Sequence, residues 1–330
     1  MLVRIFKYWD GLDMLRQTPG GRGEWRGVKF VIDEPGDADY VIIHCRVDVP
    51  IIAKVPAKNI WLVVGEPPNE TYKEMHSAPK WVSRIYTNDA SLTTPQHVLS
   101  RPGLPWHVSR DFDFLTTCPI PEKTRDLSWV TSSRGDTVGH QKRLRVIDRL
   151  RALPELDLFG RGFQPIADKW DGLAPYRYSI AYENYNNSHY WTEKVMDCFL
   201  AWTMPIYYGC TELEQFFPKE SFIRIDPEAD DLEAQVAAIL QSDRRERNLD
   251  AIAEARRRVL YDYNFFEFLV GEIEKDKAVR RNALEGRRMT IIRNHQISDK
   301  EFVMHELRKL KQTTYQKLGL RKPAPLGSES

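Results

Sequence analysis

Between Tyr178 and Lys194 the chain reads YSIAYENYNNSHYWTEK. An apolar run closes at Tyr182, a polar loop follows, and Thr192 stands where a helix would begin, with Glu193 and Lys194 in its first turn. A strand followed by a capped helix is half of a βαβ unit. The helix runs to about Thr203, and Pro205–Tyr208 supplies the next apolar strand, which completes the unit. Parallel strands need such crossovers, so this stretch argues for a parallel α/β sheet.

The same alternation extends in both directions. Upstream, Leu127–Ser132 reads as a strand, His140–Leu153 as a helix and Leu156–Gly160 as a strand. Downstream come a strand at Phe222–Ile225 and helices over Leu232–Leu240 and Arg244–Leu260. The first third of the chain holds further strand candidates: Val3–Trp9, Val28–Ile32, Tyr40–His44, Ile60–Val64 and Arg84–Thr87. Several are apolar nearly throughout, as strands covered on both faces are. The Pro-containing stretch Cys118–Lys123 separates the two groups and reads as a linker. The pattern predicts two parallel sheets facing each other across a cleft.

Composition agrees with a folded protein of that size. The 330 residues are 42% hydrophobic and 29% charged, with 9 Trp, 14 Tyr and 14 Phe. A net charge of +1 gives no whole-surface attraction to nucleic acid. Cys45, Cys118, Cys198 and Cys210 form no C-x-x-C pair, which predicts neither a zinc site nor a disulfide framework and suits a reducing compartment. The opening MLVRIFKYWDG lacks a signal-peptide apolar run, and the longest apolar stretch, near Phe199–Tyr208, is too short to span a bilayer. The expectation is a cytoplasmic protein.

The region from Lys275 to Lys322 differs, with fourteen Lys/Arg against five Asp/Glu. Ser298–Glu301 is a capping box, followed at helical spacing by Val303, Leu307, Leu310 and Thr314. Three readings are open: a solvated helical face with one helix packing back on the first domain, peripheral attachment to an anionic membrane surface, or nucleic-acid binding.

Chemistry concentrates after Tyr182. Ligands of open α/β sheets bind at the C-terminal ends of strands, and helix N-termini attract phosphates. A carboxylate at Glu193 can take two hydroxyls of a ribose, and an ammonium at Lys194 can neutralise a diphosphate. A first-turn Glu is also favourable with the helix dipole and needs no ligand. What favours a site is the crowding of Asn184, Asn186, Asn187, His189, Tyr190 and Trp191 into one loop.

Tyr178–Asn184 followed by Tyr190-Trp-Thr-Glu-Lys194 resembles the signature of the α1,3/4-fucosyltransferase family. The continuation Ala201-Trp-Thr-Met-Pro-Ile-Tyr-Tyr-Gly209 and the element Phe217–Ile223 resemble the family's next elements. The resemblance covers about Leu127–Asp226 and implies a GT-B architecture: an acceptor-side domain over 1–120, a donor domain over 121–270, and a basic helical extension over 271–330. It implies donor binding by Asn184, Tyr190, Glu193 and Lys194, with Arg143, which opens the helix after the first strand of this domain, on the phosphates. Arg143 also reads as a surface residue of a basic helix beside Lys142, Arg145 and Arg149.

The activity so implied is transfer of fucose from GDP-fucose to a glycan hydroxyl, with inversion and an α1,3 linkage. Such a transfer needs a carboxylate base. The family has a strand ending in Gly-Glu-Asn whose Glu fills that role. Here Ile60–Val64 ends in Gly65-Glu66, with Pro67 in place of the Asn, so the resemblance assigns the base to Glu66. Alternatives are the same scaffold with another nucleotide sugar, or a catalytically silent carbohydrate-binding or scaffold protein. No cofactor or metal is expected: Asp37-Ala-Asp39 reads as turn chemistry, and Asp111-Phe-Asp113 lacks further ligands. His44 beside Cys45 is the nearest approach to a metal pair and reads as a strand-end coincidence.

Overall fold

The computed structural model describes residues 1–48, 50–279 and 288–292. Its strands, in chain order, are β1 (Leu2–Lys7), β2 (Glu24–Trp25), β3 (Val28–Ile32), β4 (Gly36–Asp37), β5 (Tyr40–His44), β6 (Ile51–Val55), β7 (Ile60–Val63), β8 (Arg84–Thr87) and β9 (His97–Leu99) in the first half. The second half holds β10 (Arg125–Val130), β11 (Leu156–Phe159), β12 (Tyr176–Tyr182), β13 (Met204–Tyr208) and β14 (Ile223–Arg224), and β15 (Arg288–Ile292) comes last. The helices are α1 (Phe112–Thr117), α2 (Val138–Leu150), α3 (Glu193–Leu200), α4 (Leu232–Leu240), α5 (Arg244–Arg247), α6 (Leu249–Arg257) and α7 (Phe265–Val279).

The first sheet runs β2-β3-β1-β5-β7-β8-β9 and is parallel apart from the β2 edge. Every residue of β5 and β7 is buried. Apolar runs without alternation become central strands because both faces are covered. The second sheet, β11-β10-β12-β13-β14, is wholly parallel. Its order reverses at β10, so the loops after β10 and β12 leave in opposite directions and open a crevice between them. The strand ends of the two sheets face one another across a cleft, which is the expected GT-B arrangement.

The cover of the first sheet departs from expectation. Among the described residues, its crossovers carry no α-helix, only short 3₁₀ turns and the small strands β2, β4 and β6, so much of the cover on its apolar faces comes from other parts of the chain. One face receives α7: Phe266 meets Phe30 at 4.9 Å, Phe268 meets Tyr86 at 5.3 Å, and Leu269, Val270 and Ile273 join the same core. The other face receives a small sheet, β15-β6-β4, whose Ile51, Ala53, Val55 and Ile292 pack with Val41, Ile43, Leu62 and Ile85. The boundary expected after residue 270 therefore falls inside α7, and the 271–330 extension is not purely helical, because Arg288–Ile292 pairs antiparallel with β6. Apolar demand from the first sheet draws both elements in.

The helix expected over Arg244–Leu260 breaks at Asn248 and ends in a π turn over Arg258–Asp262. The Ser298–Glu301 capping box and the positions Val303–Thr314 lie outside the described residues. Among the described residues, no helix is long and apolar enough to cross a membrane, and the four cysteines are free thiols.

Candidate active site

The loop after β12 is closed at its base by a buried carboxylate. Glu183 follows the last residue of β12 and is fully buried. It accepts from the Thr192 amide at 2.8 Å, from the Thr192 hydroxyl at 2.8 Å and from Lys194 Nζ at 3.1 Å. Burial pushes this carboxyl up, and Lys194 opposes the shift. Thr192 is also the N-cap of α3. One residue thus starts the helix and ties both ends of the loop together. Within the loop, Asn187 Oδ1 accepts from the amides of His189 at 2.8 Å and Tyr190 at 2.6 Å. Tyr190 is buried, its ring 6.1 Å from that of Tyr185.

Glu193 and Lys194 sit in a charge cluster wider than the sequence suggested. The Glu193 carboxylate lies 3.4 Å from Lys169 Nζ, 3.6 Å from Lys194 Nζ and 3.6 Å from His107 Nδ1. Burial opposes ionisation, yet Lys194, Lys169 and His107 hold Glu193 well below the usual carboxylate range. Asp197, one turn later, pairs with Lys169 at 3.0 Å and accepts from the amides of His107 and Val108, which ties α3 to the first domain's last segment. Lys194 is first of all the counter-ion of Glu183. Two of its three N–H donors are spent, on Glu183 and Thr192. Its side chain is 22% exposed, and Glu193 stands 3.6 Å from the same nitrogen.

Arg143 is the more conspicuous cation. Because α2 begins at Val138, Arg143 stands in its second turn rather than opening the helix, and it is buried rather than on the surface. Its guanidinium donates to Asn184 Oδ1 at 2.7 Å, to the Ser132 carbonyl at 2.9 Å and to the Arg134 carbonyl at 3.2 Å. Among the described residues it contacts no carboxylate, and its buried Nε has no hydrogen-bond partner. Burial lowers its pKa, a cost that a bound anion would offset. The α2 N-terminus touches the same loop. A Cβ on Gly139 would come within 1.8 Å of the Asn184 carbonyl, so only glycine permits that approach. Beside this contact lies an open cleft of ≈ 460 Å³, walled by Glu70 and Thr71 of the first domain and by Thr137, Lys142, Asn184 and Tyr208 of the second.

Glu66 faces this assembly from the first domain, just past β7. Its Oε1 accepts from the Tyr8 hydroxyl at 3.0 Å, and its carbonyl accepts from Asn88 Nδ2 at 3.0 Å. Burial pushes the Glu66 carboxyl up; Tyr8, Lys194 and Arg134 draw it down, while Glu193 adds to the rise. The fold thus brings Glu66, Glu193, Lys194 and Arg134 into one electrostatic neighbourhood.

Other candidates are spent on structure. Asp111 caps α1, Asp113 accepts from the Gly20 amide, and Asp39 accepts from the Leu2 amide. Both nitrogens of His44 are engaged, by Trp9 and by the Gly103 carbonyl. Among the described residues, no three His, Cys, Asp or Glu side chains cluster as metal ligands do. Sequence reasoning missed Tyr8, Asn88, Lys169 and the anchoring role of Glu183. Only Glu183 carried a signal, as the acid of the Tyr-Glu-Asn run.

Residues 120–248 match the pattern of glycosyltransferase family 10 (fucosyltransferase), C-terminal part. The chain is 27% identical over 202 residues to the 4-galactosyl-N-acetylglucosaminide 3-alpha-L-fucosyltransferase FUT6 of Pan troglodytes, covering 57% of this chain and 54% of that protein. It is 27% identical over 173 residues to the 3-galactosyl-N-acetylglucosaminide 4-alpha-L-fucosyltransferase FUT3 of Homo sapiens, covering 51% and 45%. It spans about half the length of these curated relatives. A solved alpha1,3-fucosyltransferase with GDP superposes with a TM-score of 0.46 at 14% identity, covering 77% of this chain and 82% of that one. The likeness to the fucosyltransferases of glycosyltransferase family 10 thus lies in the stretch over residues 120–248, which holds the ordered run of elements from β10 to β14.

Proposed function

We propose that the protein transfers fucose from GDP-fucose to a hydroxyl of a glycan, with inversion and formation of an α1,3 linkage. The observation that supports this reading is that Glu66, at a strand end, is joined through Asn88 to Asn187 of the loop that carries Glu193 and Lys194. The match to the fucosyltransferase family over residues 120–248 and the fucosyltransferase activity of the relatives support fucose as the transferred sugar. An inverting transfer needs a proton acceptor on one face of the sugar and a stabilised leaving group on the other.

In this reading Glu66 accepts the acceptor hydroxyl's proton as that oxygen attacks the anomeric carbon. Its raised pKa keeps it a better base than an exposed carboxylate. The diphosphate departs toward Arg143, the α2 N-terminus and the positive charge of Lys194. Glu193, kept ionised chiefly by Lys194 and Lys169, offers two acceptor oxygens to a ribose diol. Asn184, fixed by Arg143, and Tyr190, packed into the loop, shape the pocket between them. The scheme uses no metal, and turnover measured with and without EDTA should agree.

Thermal shift separates donor classes, because a ligand that binds only the folded state stabilises it. GDP should raise Tm where UDP, ADP and CMP do not. Selective stabilisation by UDP would replace this reading with the same scaffold on another nucleotide sugar. Glu66→Gln should bind GDP and lose turnover, and linkage analysis of the product tests the α1,3 assignment. Parent protein inactive on every glycan of an array, with GDP bound, would favour a silent binding protein.

A further inference from the structure

A chain of two hydrogen bonds links the loop after β12 to the strand end that carries Glu66. Asn187 Nδ2 donates to the Asn88 carbonyl at 2.9 Å, and Asn88 Nδ2 donates to the Glu66 carbonyl at 3.0 Å. Asn88 directly follows β8, the neighbour of β7 in the sheet, and is buried. The two ends of the Asn187 amide serve different domains. Its oxygen folds the loop by accepting from His189 and Tyr190, while its nitrogen reaches across to Asn88. The contacts of Asp197 with His107 and Val108 also join the domains, but they end on the backbone after β9 rather than on Glu66.

The Asn88 side chain shows where it is used. Its Oδ1 is buried and, among the described residues, has no hydrogen-bond partner. An unmatched buried oxygen costs stability, whereas the amide nitrogen is fully employed on Glu66. A residue of this kind fixes a backbone at the expense of its own satisfaction.

We propose that Asn187 and Asn88 are positioning residues that transmit the shape of the donor loop to the backbone of Glu66. This rests on the reading of Glu66 as base given above. A loop ordered around Tyr190 then sets where Glu66 stands relative to the anomeric carbon. Small displacements matter at that point, since misplacement by about 1 Å can cost on the order of a hundredfold in rate.

Asn187→Asp separates the two roles. The carboxylate still accepts from His189 and Tyr190, but an oxygen replaces the donor that faces the Asn88 carbonyl. Asn88→Ala removes the second bond and leaves the loop untouched. For each variant, GDP affinity by calorimetry and donor KM should stay within about threefold of the parent, while kcat falls about tenfold, the effect of one such bond lost in the transition state. The double variant should be no slower than the slower single one, because both cut one chain. Unchanged kcat overturns the coupling, as do additive effects, or GDP affinity falling in step with kcat. Parent-level turnover by Glu66→Gln overturns the assignment of the base itself, and the proposal with it; if that variant is inactive, the Asn187 and Asn88 results bear on the coupling alone.

Discussion

Replacing Glu183 with glutamine should unravel the base of the donor loop. The parent carboxylate is fully buried and takes three donors: the Thr192 amide, the Thr192 hydroxyl and Lys194 Nζ. Glutamine keeps one acceptor oxygen for Thr192 but turns an N–H toward the ammonium 3.1 Å away. Removing one partner of a buried ion pair costs about 3–5 kcal/mol. Lys194 retains 22% exposure and a second carboxylate, Glu193, at 3.6 Å, which brings the expected loss to about 2–3 kcal/mol. At about 2–4 °C per kcal/mol for a chain of this size, Tm should fall by roughly 5–10 °C. Urea unfolding followed by tryptophan fluorescence, run as a cycle with Lys194→Met, isolates the pair. The double variant should lose less than the two single losses combined, with a coupling of about 1–2 kcal/mol. A loss below about 0.5 kcal/mol, or strict additivity, would refute the view of Glu183 as the loop's anchor.

Tyr8→Phe removes a hydrogen bond that favours ionised Glu66, so the acid limb of kcat/KM should move to higher pH; a limb that stays in place separates that titration from Glu66. Gly139→Ala places a Cβ 1.8 Å from the Asn184 carbonyl, which forces the α2 N-terminus off the loop, and GDP affinity should fall at least about tenfold by calorimetry. Glu246, held by a two-pronged bond from Arg177, is lowered from 4.5 to about 2. A depressed carboxylate stabilises the fold above its unfolded pKa and loses that contribution as pH falls from 4.5 toward about 2. Glu246→Gln should therefore be less stable by about 1 kcal/mol near neutrality, after screening of this partly exposed pair, and should match the parent at the acid end of a pH series of urea unfolding curves.

The local sequence determined most of the elements. Val28–Ile32, Tyr40–His44, Arg84–Thr87 and Leu232–Leu240 coincide with their expected bounds, because apolar runs and helical periodicity are local properties of the chain. Thr192 declared its helix through capping chemistry, and the ordered motifs from Leu127 to Asp226 pointed to the family. Tertiary structure decided what each charge does. Lys194 gives two donors to Glu183 and Thr192, eleven and two residues away. Arg143 is buried against Asn184 across 41 residues, and Glu66 meets Tyr8 across 58. Such partners share no period or spacing in the sequence, because they meet only where the fold brings neighbouring strand ends of one sheet together. The assignment of α7 and β15 to the first sheet has the same origin. A sheet with short crossovers has to borrow its cover, and which distant segment supplies it is settled by packing alone.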